Sequence, residues 1–208
     1  GITLVQIINI FSQLGMDNGV VRYVARYEAE GDARRVRGTV IQALLATFAL
    51  SVVLSGLLFF GAGLLAEWVE KPFLETTFRA FSLSVPFFTV MSMALWATQG
   101  FQTVKYATWV QYVLRPHSNL ALIVVVYLLG VEVLGAIAAY ILSMVFGAVL
   151  SLYYLWRVFP GLLDREVKPK FESRALFTTS APMTVVSLTQ HLNPWIALLV
   201  LGVFETVR

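Results

Sequence analysis

The residues from Gly38 to Ala66 form a long run that contains no charged side chain. As an α-helix this run would measure about 43 Å, more than the ~30 Å hydrocarbon core of a bilayer. Further uncharged runs follow at 80–104, 116–131, 133–156 and 175–204. All are longer than the ~10-residue alternating strands of outer-membrane barrels. The sequence therefore predicts an all-α, polytopic bundle of membrane helices.

Composition supports this class and excludes several others. Hydrophobic residues make up 58% of the 208-residue chain and charged residues only 13%, whereas soluble domains carry roughly 25% charged residues. The absence of cysteine excludes a disulfide framework or a thiolate metal site, and two histidines are too few for a metal site without carboxylates nearby. No glycine-rich phosphate loop, HExxH motif or Ser/His/Asp grouping is present. We therefore expect no catalytic residue, metal, cofactor or nucleic-acid partner.

Six membrane segments are predicted from the runs and their flanks. The first, 1–16, reads as the second half of a spanning helix, so we expect the chain to be a fragment of a longer protein. Pro86 lies inside the segment 80–104, where a kink is tolerable. The run after Arg115 is short, and it spans only if preceding residues add a turn while Arg115 snorkels. The predicted segments are 1–16, 38–66, 80–104, 113–131, 133–156 and 175–204.

The segment from Gly15 to Arg37 is the first charged stretch, with five arginines. Arg22 and Arg26 stand four residues apart and share one helical face, while Val20 and Val24 supply an apolar side. This pattern predicts an amphipathic helix at a membrane surface. A basic loop that only sets the topology is the alternative interpretation.

The distribution of positive charge predicts the orientation. Alternate crossing places 17–37, 99–115 and 157–174 on one side, and these segments hold twelve of the fifteen Lys and Arg residues. The other side holds three, so the positive-inside rule makes the first side cytoplasmic. We expect a multi-pass protein of the cytoplasmic membrane.

Two sets of polar side chains are candidates for function. Basic residues at the cytoplasmic mouth would attract an anionic headgroup such as a diphosphate, although bulk anionic lipid and topology would also explain them. This first set comprises Arg22, Arg26, Lys105 and Arg115. Polar residues within the spanning runs could line a water-filled cavity, although hydrogen bonds between helices would also explain each one. This second set comprises Gln42, Gln99, Gln102, Asn119, Gln190, His191 and Asn193.

The stretch GMDNGVVRYVARYEAEGD, followed by RRVRG, resembles a segment of the lipid-linked oligosaccharide flippases that serve O-antigen, capsule and exopolysaccharide synthesis. These belong to the multidrug/oligosaccharidyl-lipid/polysaccharide exporter superfamily. Met16 stands where leucine is usual. The matching positions are Gly15, Asp17, Arg22, Tyr23, Ala25 and Tyr27.

The resemblance implies a transporter of twelve to fourteen helices in two lobes. Residues 1–156 would form the first lobe without its first helix, 157–174 a cytoplasmic linker between lobes, and 175–208 the first helix of the second lobe. The substrate would be a polyprenyl-diphosphate-linked oligosaccharide, membrane lipids would be the other partners, and the coupling ion is open. No carboxylate lies at the centre of a spanning run, which counts against the alternative of a cation-coupled multidrug extruder. Short outer loops count against a membrane-embedded glycan-assembly enzyme.

Overall fold

The computed structural model describes residues 2–13, 15–68, 74–131, 133–162, 164 and 168–171. These residues form helices and no strands, which confirms the predicted all-α class. The predicted segment 175–204, with Gln190, His191 and Asn193, lies outside the described residues. The described helices, in chain order, are α1 (Ile2–Gln13), α2 (Met16–Ala29), α3 (Ala33–Trp68), α4 (Leu74–Ser82), α5 (Val85–Gly100), α6 (Lys105–Thr108), a π-helical segment (Trp109–Leu114), α7 (Arg115–Leu128), α8 (Val133–Val158) and a 3₁₀ turn (Pro160–Leu162).

Helix α3 is the longest described element, and it contains the whole uncharged run that begins at Gly38. Its buried side chains recur every three or four residues, and most are small, which lets neighbouring helices approach closely. The hydroxyls of Thr47 and Ser51 donate to carbonyls of their own helix at 2.7 Å, so their burial leaves no unsatisfied group. Ser55 instead donates to the Ser82 carbonyl of α4 at 2.6 Å and ties the two helices together.

Helices α4 and α5 together form the next crossing. Residues Leu74–Gly100 are long and apolar enough to span a bilayer, but the chain turns at 83–84 and α5 begins at Val85. Pro86 therefore lies in the first turn of α5, where its missing N–H would have had no helical acceptor, rather than at an internal kink. The stretch between the predicted segments 38–66 and 80–104 is already helical from Leu74.

Helix α2 confirms the amphipathic helix predicted from the basic segment. It lies between two glycines with left-handed backbone, Gly15 (φ 67°) and Gly31 (φ 70°), which break the helical path before and after it. Its buried face packs across one end of α3, α5 and α8. The side chains of this shared core include Val20, Val24, Tyr27, Val36, Val40, Met93, Ala97 and Leu155.

The structure differs from the sequence prediction between residues 101 and 131. A loop was expected over 99–115 and a helix over 113–131, yet the chain is continuously helical from Lys105 to Leu128. Only residues 101–104 connect α5 to this helix. The charge of Arg115 and the adjacent Pro116 interrupt the hydropathy pattern. The helix nevertheless continues through both residues, directly after the π-helical segment Trp109–Leu114.

The continuous helix from Lys105 to Leu128 runs antiparallel to α8 along its whole length. At one end the Tyr106 and Tyr154 rings stack at 4.7 Å. At the other end a Cβ added to Gly135 would overlap the Val126 side chain. Helix α7 contributes no fully buried residue, so one face packs against its neighbours and the remainder is open.

Three basic segments meet at one end of this bundle. Phe101 stacks on Phe159 with ring centroids 5.5 Å apart, and the Lys170 N–H donates to the Arg34 carbonyl at 3.0 Å. Residues 17–37 and 101–105 therefore lie together with residues 157–162, 164 and 168–171 at what we call the basic end. Within the described ranges, three segments are long and apolar enough to cross a membrane: Ala33–Trp68, Leu74–Gly100 and Gly135–Val158.

Candidate functional site

Arg115 lies at mid-height in the bundle, although the sequence placed it at a membrane mouth beside Lys105. A four-residue helical turn and a six-residue π segment precede it, and the 14-residue α7 begins with it. A Cβ built on Gly147 would lie 3.6 Å from Arg115 Cγ, and Gly147 is near the midpoint of the 26-residue α8. Arg115 is thus about 15 Å of helix away from Lys105 and close to the centre of the span.

The surroundings of Arg115 are mostly apolar. Its guanidinium carbon lies 5.9 Å from the centroid of the Phe88 ring, and Phe88 is itself near the middle of the Leu74–Gly100 crossing. The phenol of Tyr140 lies within electrostatic reach of the same guanidinium. Among the described residues, no carboxylate forms an ion pair with Arg115. A half-buried cation at this depth normally faces a cavity or a ligand.

Further polar groups lie on the same face of α7. Ser118 and Asn119 follow Arg115 by three and four residues, and the Ser118 hydroxyl donates to the Arg115 carbonyl at 2.8 Å. The Asn119 Oδ1 atom is buried and accepts no hydrogen bond from the described part of the chain. An unsatisfied acceptor of this kind calls for a donor from water or a ligand. We call Arg115, Ser118, Asn119 and Tyr140 the Arg115 cluster.

The backbone is irregular directly before the Arg115 cluster. Pro116 has no N–H to donate into the preceding turn, and residues Trp109–Leu114 take the wider π-helical path. The His117 ring adds a side-chain contact to this turn, because its Nδ1 lies 2.6 Å from the Val113 carbonyl and must donate to it. Side-chain groups commonly satisfy freed carbonyls in this way in membrane helices, where such irregularity often accompanies function.

A second buried polar contact lies at nearly the same height. Asn9 of α1 and Thr89 of α5 are both buried, and the Thr89 hydroxyl lies 3.0 Å from Asn9 Oδ1 and equally close to the Val85 carbonyl of its own helix. Thr89 is the residue after Phe88, which contacts Arg115. Neither residue stands out in the sequence, because other polar side chains such as Ser12 and Gln13 share the same helix as Asn9, and only the contact with Thr89 distinguishes it.

The other basic candidates lie at the basic end and are exposed. Arg26 Nε donates to Glu30 Oε1 at 2.8 Å, and this hydrogen bond, with the carboxylate charge, raises the pKa of Arg26 above its ordinary value. Arg22 and Lys105 form no ion pair with any carboxylate in the described ranges. The structure therefore separates the four basic candidates into three at the basic end and one at the centre.

The cavity candidates also separate by height. Gln42 lies nine residues after the start of α3, beside the core that α2 covers, and its Oε1 is buried without a hydrogen-bond donor among the described residues. Gln99 is half-buried at the end of α5, and Gln102 is exposed with a left-handed backbone (φ 58°). Gln102 borders a cleft of about 230 Å³, smaller than the ~300 Å³ typical of small-molecule sites. The residues of this cleft are Ala25, Glu28, Ala29, Gly100, Phe101 and Gln102.

No group of three His, Asp or Glu residues that could hold a metal ion occurs in the ranges the structure describes. Apolar helices that cross a bilayer, a central arginine and a basic end define a multi-pass α-helical membrane protein. The chain matches the model of the polysaccharide biosynthesis protein family over residues 1–206. It belongs to that family. No curated protein and no solved structure matches it.

Proposed function

We propose that this protein is a transporter that moves a polyprenyl-diphosphate-linked oligosaccharide across the cytoplasmic membrane for cell-surface polysaccharide synthesis. Membership of the polysaccharide biosynthesis family supports the substrate class. The observation that carries the proposal is Arg115, a cation near the middle of the span with no ion-pairing carboxylate among the described residues. An anionic diphosphate would supply the missing charge.

The neighbours of Arg115 fit the rest of such a substrate. The Asn119 amide and the hydroxyls of Ser118 and Tyr140 are groups that hydrogen-bond to sugar hydroxyls. In our proposal the basic end faces the cytoplasm, and Arg22 and Lys105 attract the diphosphate there before it reaches Arg115. Movement of one half of the transporter against the other then exposes the glycan on the opposite side.

The charge at the centre favours this proposal over the two alternatives. The carboxylates that the structure describes lie at the two ends of the bundle, so the central charge is positive and would repel a cationic drug. The connections from Trp68 to Leu74 and from Leu128 to Val133 are short, which leaves little chain for a catalytic domain on the non-cytoplasmic side. We therefore propose transport without a chemical step.

The test uses the full-length protein in cells that depend on it for surface polysaccharide. Arg115→Gln is expected to lower surface polysaccharide about tenfold or more at equal membrane abundance, because a charge-assisted contact is lost. Lipid-linked glycan should accumulate on the cytoplasmic side. Arg157→Gln, which removes an exposed cation from the last turn of α8, is the matched control and should export normally. Normal export by Arg115→Gln would overturn the proposal.

A further inference from the structure

The residues after α8 dock on the start of α3. The Lys170 N–H donates to the Arg34 carbonyl at 3.0 Å, and Arg37 donates a hydrogen bond to the Asp164 carbonyl. A Cβ added to Gly38 would overlap the Lys170 carbonyl, so only glycine permits this approach. Asp164 and Lys170 therefore contact the first turns of α3 through their backbone atoms.

This docking brings together cations that are far apart in sequence. Arg34, Lys168 and Lys170 are all exposed, and none forms an ion pair with a carboxylate among the described residues. We call these three residues the linker patch. The nearest acidic side chains of α2 and the following turn are already engaged.

Those acidic groups are Glu30 and Asp32. Glu30 accepts from Arg26 at 2.8 Å, and Asp32 Oδ2 lies 3.3 Å from Arg35 Nε. Arg35 also lies 3.6 Å from Glu30. Because these carboxylates are shared with Arg26 and Arg35, neither of them neutralises the linker patch.

The linker patch lies at one end of a helix long enough to cross a bilayer. Gly38, which contacts Lys170, is the first residue of the uncharged run that ends at Ala66. That run is about 43 Å long, close to the ~40–45 Å thickness of a bilayer with its headgroup regions. Arg34 is one helical turn outside the run, so a bilayer centred on the run would place the headgroups of one leaflet within reach of the long side chains of the patch.

We propose that the linker patch binds the headgroups of anionic phospholipids and that this binding fastens Asp164 and residues 168–171 to α3. The phosphate group supplies the negative charge that the patch lacks, and each cation near an anionic surface contributes roughly fivefold to binding. The proposal depends on the docked backbone and on membrane insertion. It is independent of the transported substrate.

Native mass spectrometry of the full-length protein in detergent, titrated with phosphatidylglycerol or phosphatidylcholine, tests the proposal. The double variant Lys168→Gln/Lys170→Gln is expected to bind phosphatidylglycerol about 30-fold more weakly. Arg157→Gln removes an exposed cation of the last turn of α8, outside the linker patch, and should weaken binding less than Lys168→Gln or Lys170→Gln alone. Equal affinities for the two lipids in the parent, or a loss in Arg157→Gln as large as in either single lysine variant, would overturn the proposal.

Two further lipid-binding measurements test the docking of Lys170 on α3 and the source of the bound phosphate. Gly38→Val keeps every charge but displaces Lys170, so it should also weaken phosphatidylglycerol binding, whereas unchanged binding would contradict the docked patch. Inorganic diphosphate should not displace the lipid at equal concentration. Displacement by diphosphate would assign the patch to a free or substrate phosphate and overturn the phospholipid assignment.

Discussion

The guanidinium carbon of Arg115 lies 5.9 Å from the centroid of the Phe88 ring, near the middle of the Leu74–Gly100 membrane crossing. A cation over an aromatic face gains about 0.5–2 kcal/mol, depending on desolvation. An arginine at the centre of a membrane helix costs about 2.5–3.5 kcal/mol. The contact therefore offsets only part of the cost, and the arginine is retained at the expense of stability.

This imbalance predicts that Arg115→Met stabilises the protein while it abolishes export. We expect a gain of about 0.5–3 kcal/mol in the free energy of unfolding, the difference between the two contributions. Thermal unfolding in nanodiscs measures the gain, and surface polysaccharide measures export. Arg157→Met should change neither. A loss of stability in Arg115→Met would show instead that the arginine holds the fold together.

The contact between Asn9 and Thr89 predicts a measurable loss of stability in Thr89→Val. The valine has the same shape but leaves Asn9 Oδ1 without its donor, at a cost of about 0.6 kcal/mol and at most about 1.7. Thr98→Val on the same helix is the control, because Thr98 is equally buried but donates only to the Leu95 carbonyl of its own helix. Equal shifts in the unfolding temperature of both variants would remove any special role of the Asn9 contact.

Gly100 is expected to tolerate no side chain. A Cβ at this position would lie 2.6 Å from Val24 Cβ and 3.2 Å from the Val21 carbonyl, so Gly100→Ala pushes α2 away from α5. We expect a loss of about 1–3 kcal/mol by unfolding in nanodiscs. Gly56→Ala is the matched control on α3, where nothing lies within 4 Å of the new atom, and it should be neutral or stabilising. Equal changes in the free energy of unfolding of both variants would contradict the close contact between α2 and Gly100.

The π-helical segment before Pro116 predicts that replacing Pro116 by alanine changes local amide hydrogen exchange, whereas replacing Pro86 does not. Pro116→Ala returns an N–H to the middle of a continuous helix, so amide hydrogen exchange over 109–117 should slow about fivefold for one added hydrogen bond. Pro86→Ala changes the first turn of α5, where the new N–H has no helical acceptor, and exchange there should stay the same. Unchanged exchange in Pro116→Ala would mean that another feature imposes the π turn.

Prediction succeeded where the signal was local. The uncharged run after Gly38 and the spacing of Val20, Val24 and the two arginines of α2 are patterns within single helices, and the structure has both helices. Prediction differed from the structure around Arg115, because one charge and one proline divided a helix that is continuous from Lys105 to Leu128. The uncharged run 116–131 is too short to span a membrane by itself, and this was the available signal that the helix begins before it.

The sequence by itself determined the class, since uncharged runs of this length must satisfy their backbone groups inside lipid as helices. It also determined which segments carry the positive charge. Only the tertiary structure decided the height of Arg115, which depends on the alignment of α7 with α8 and on their contact near Gly147. Likewise Arg34 and Lys170 become neighbours only because a glycine on α3 admits the backbone of a distant segment. Such contacts depend on how helices align in space, and the periodicity of each helix does not encode that alignment.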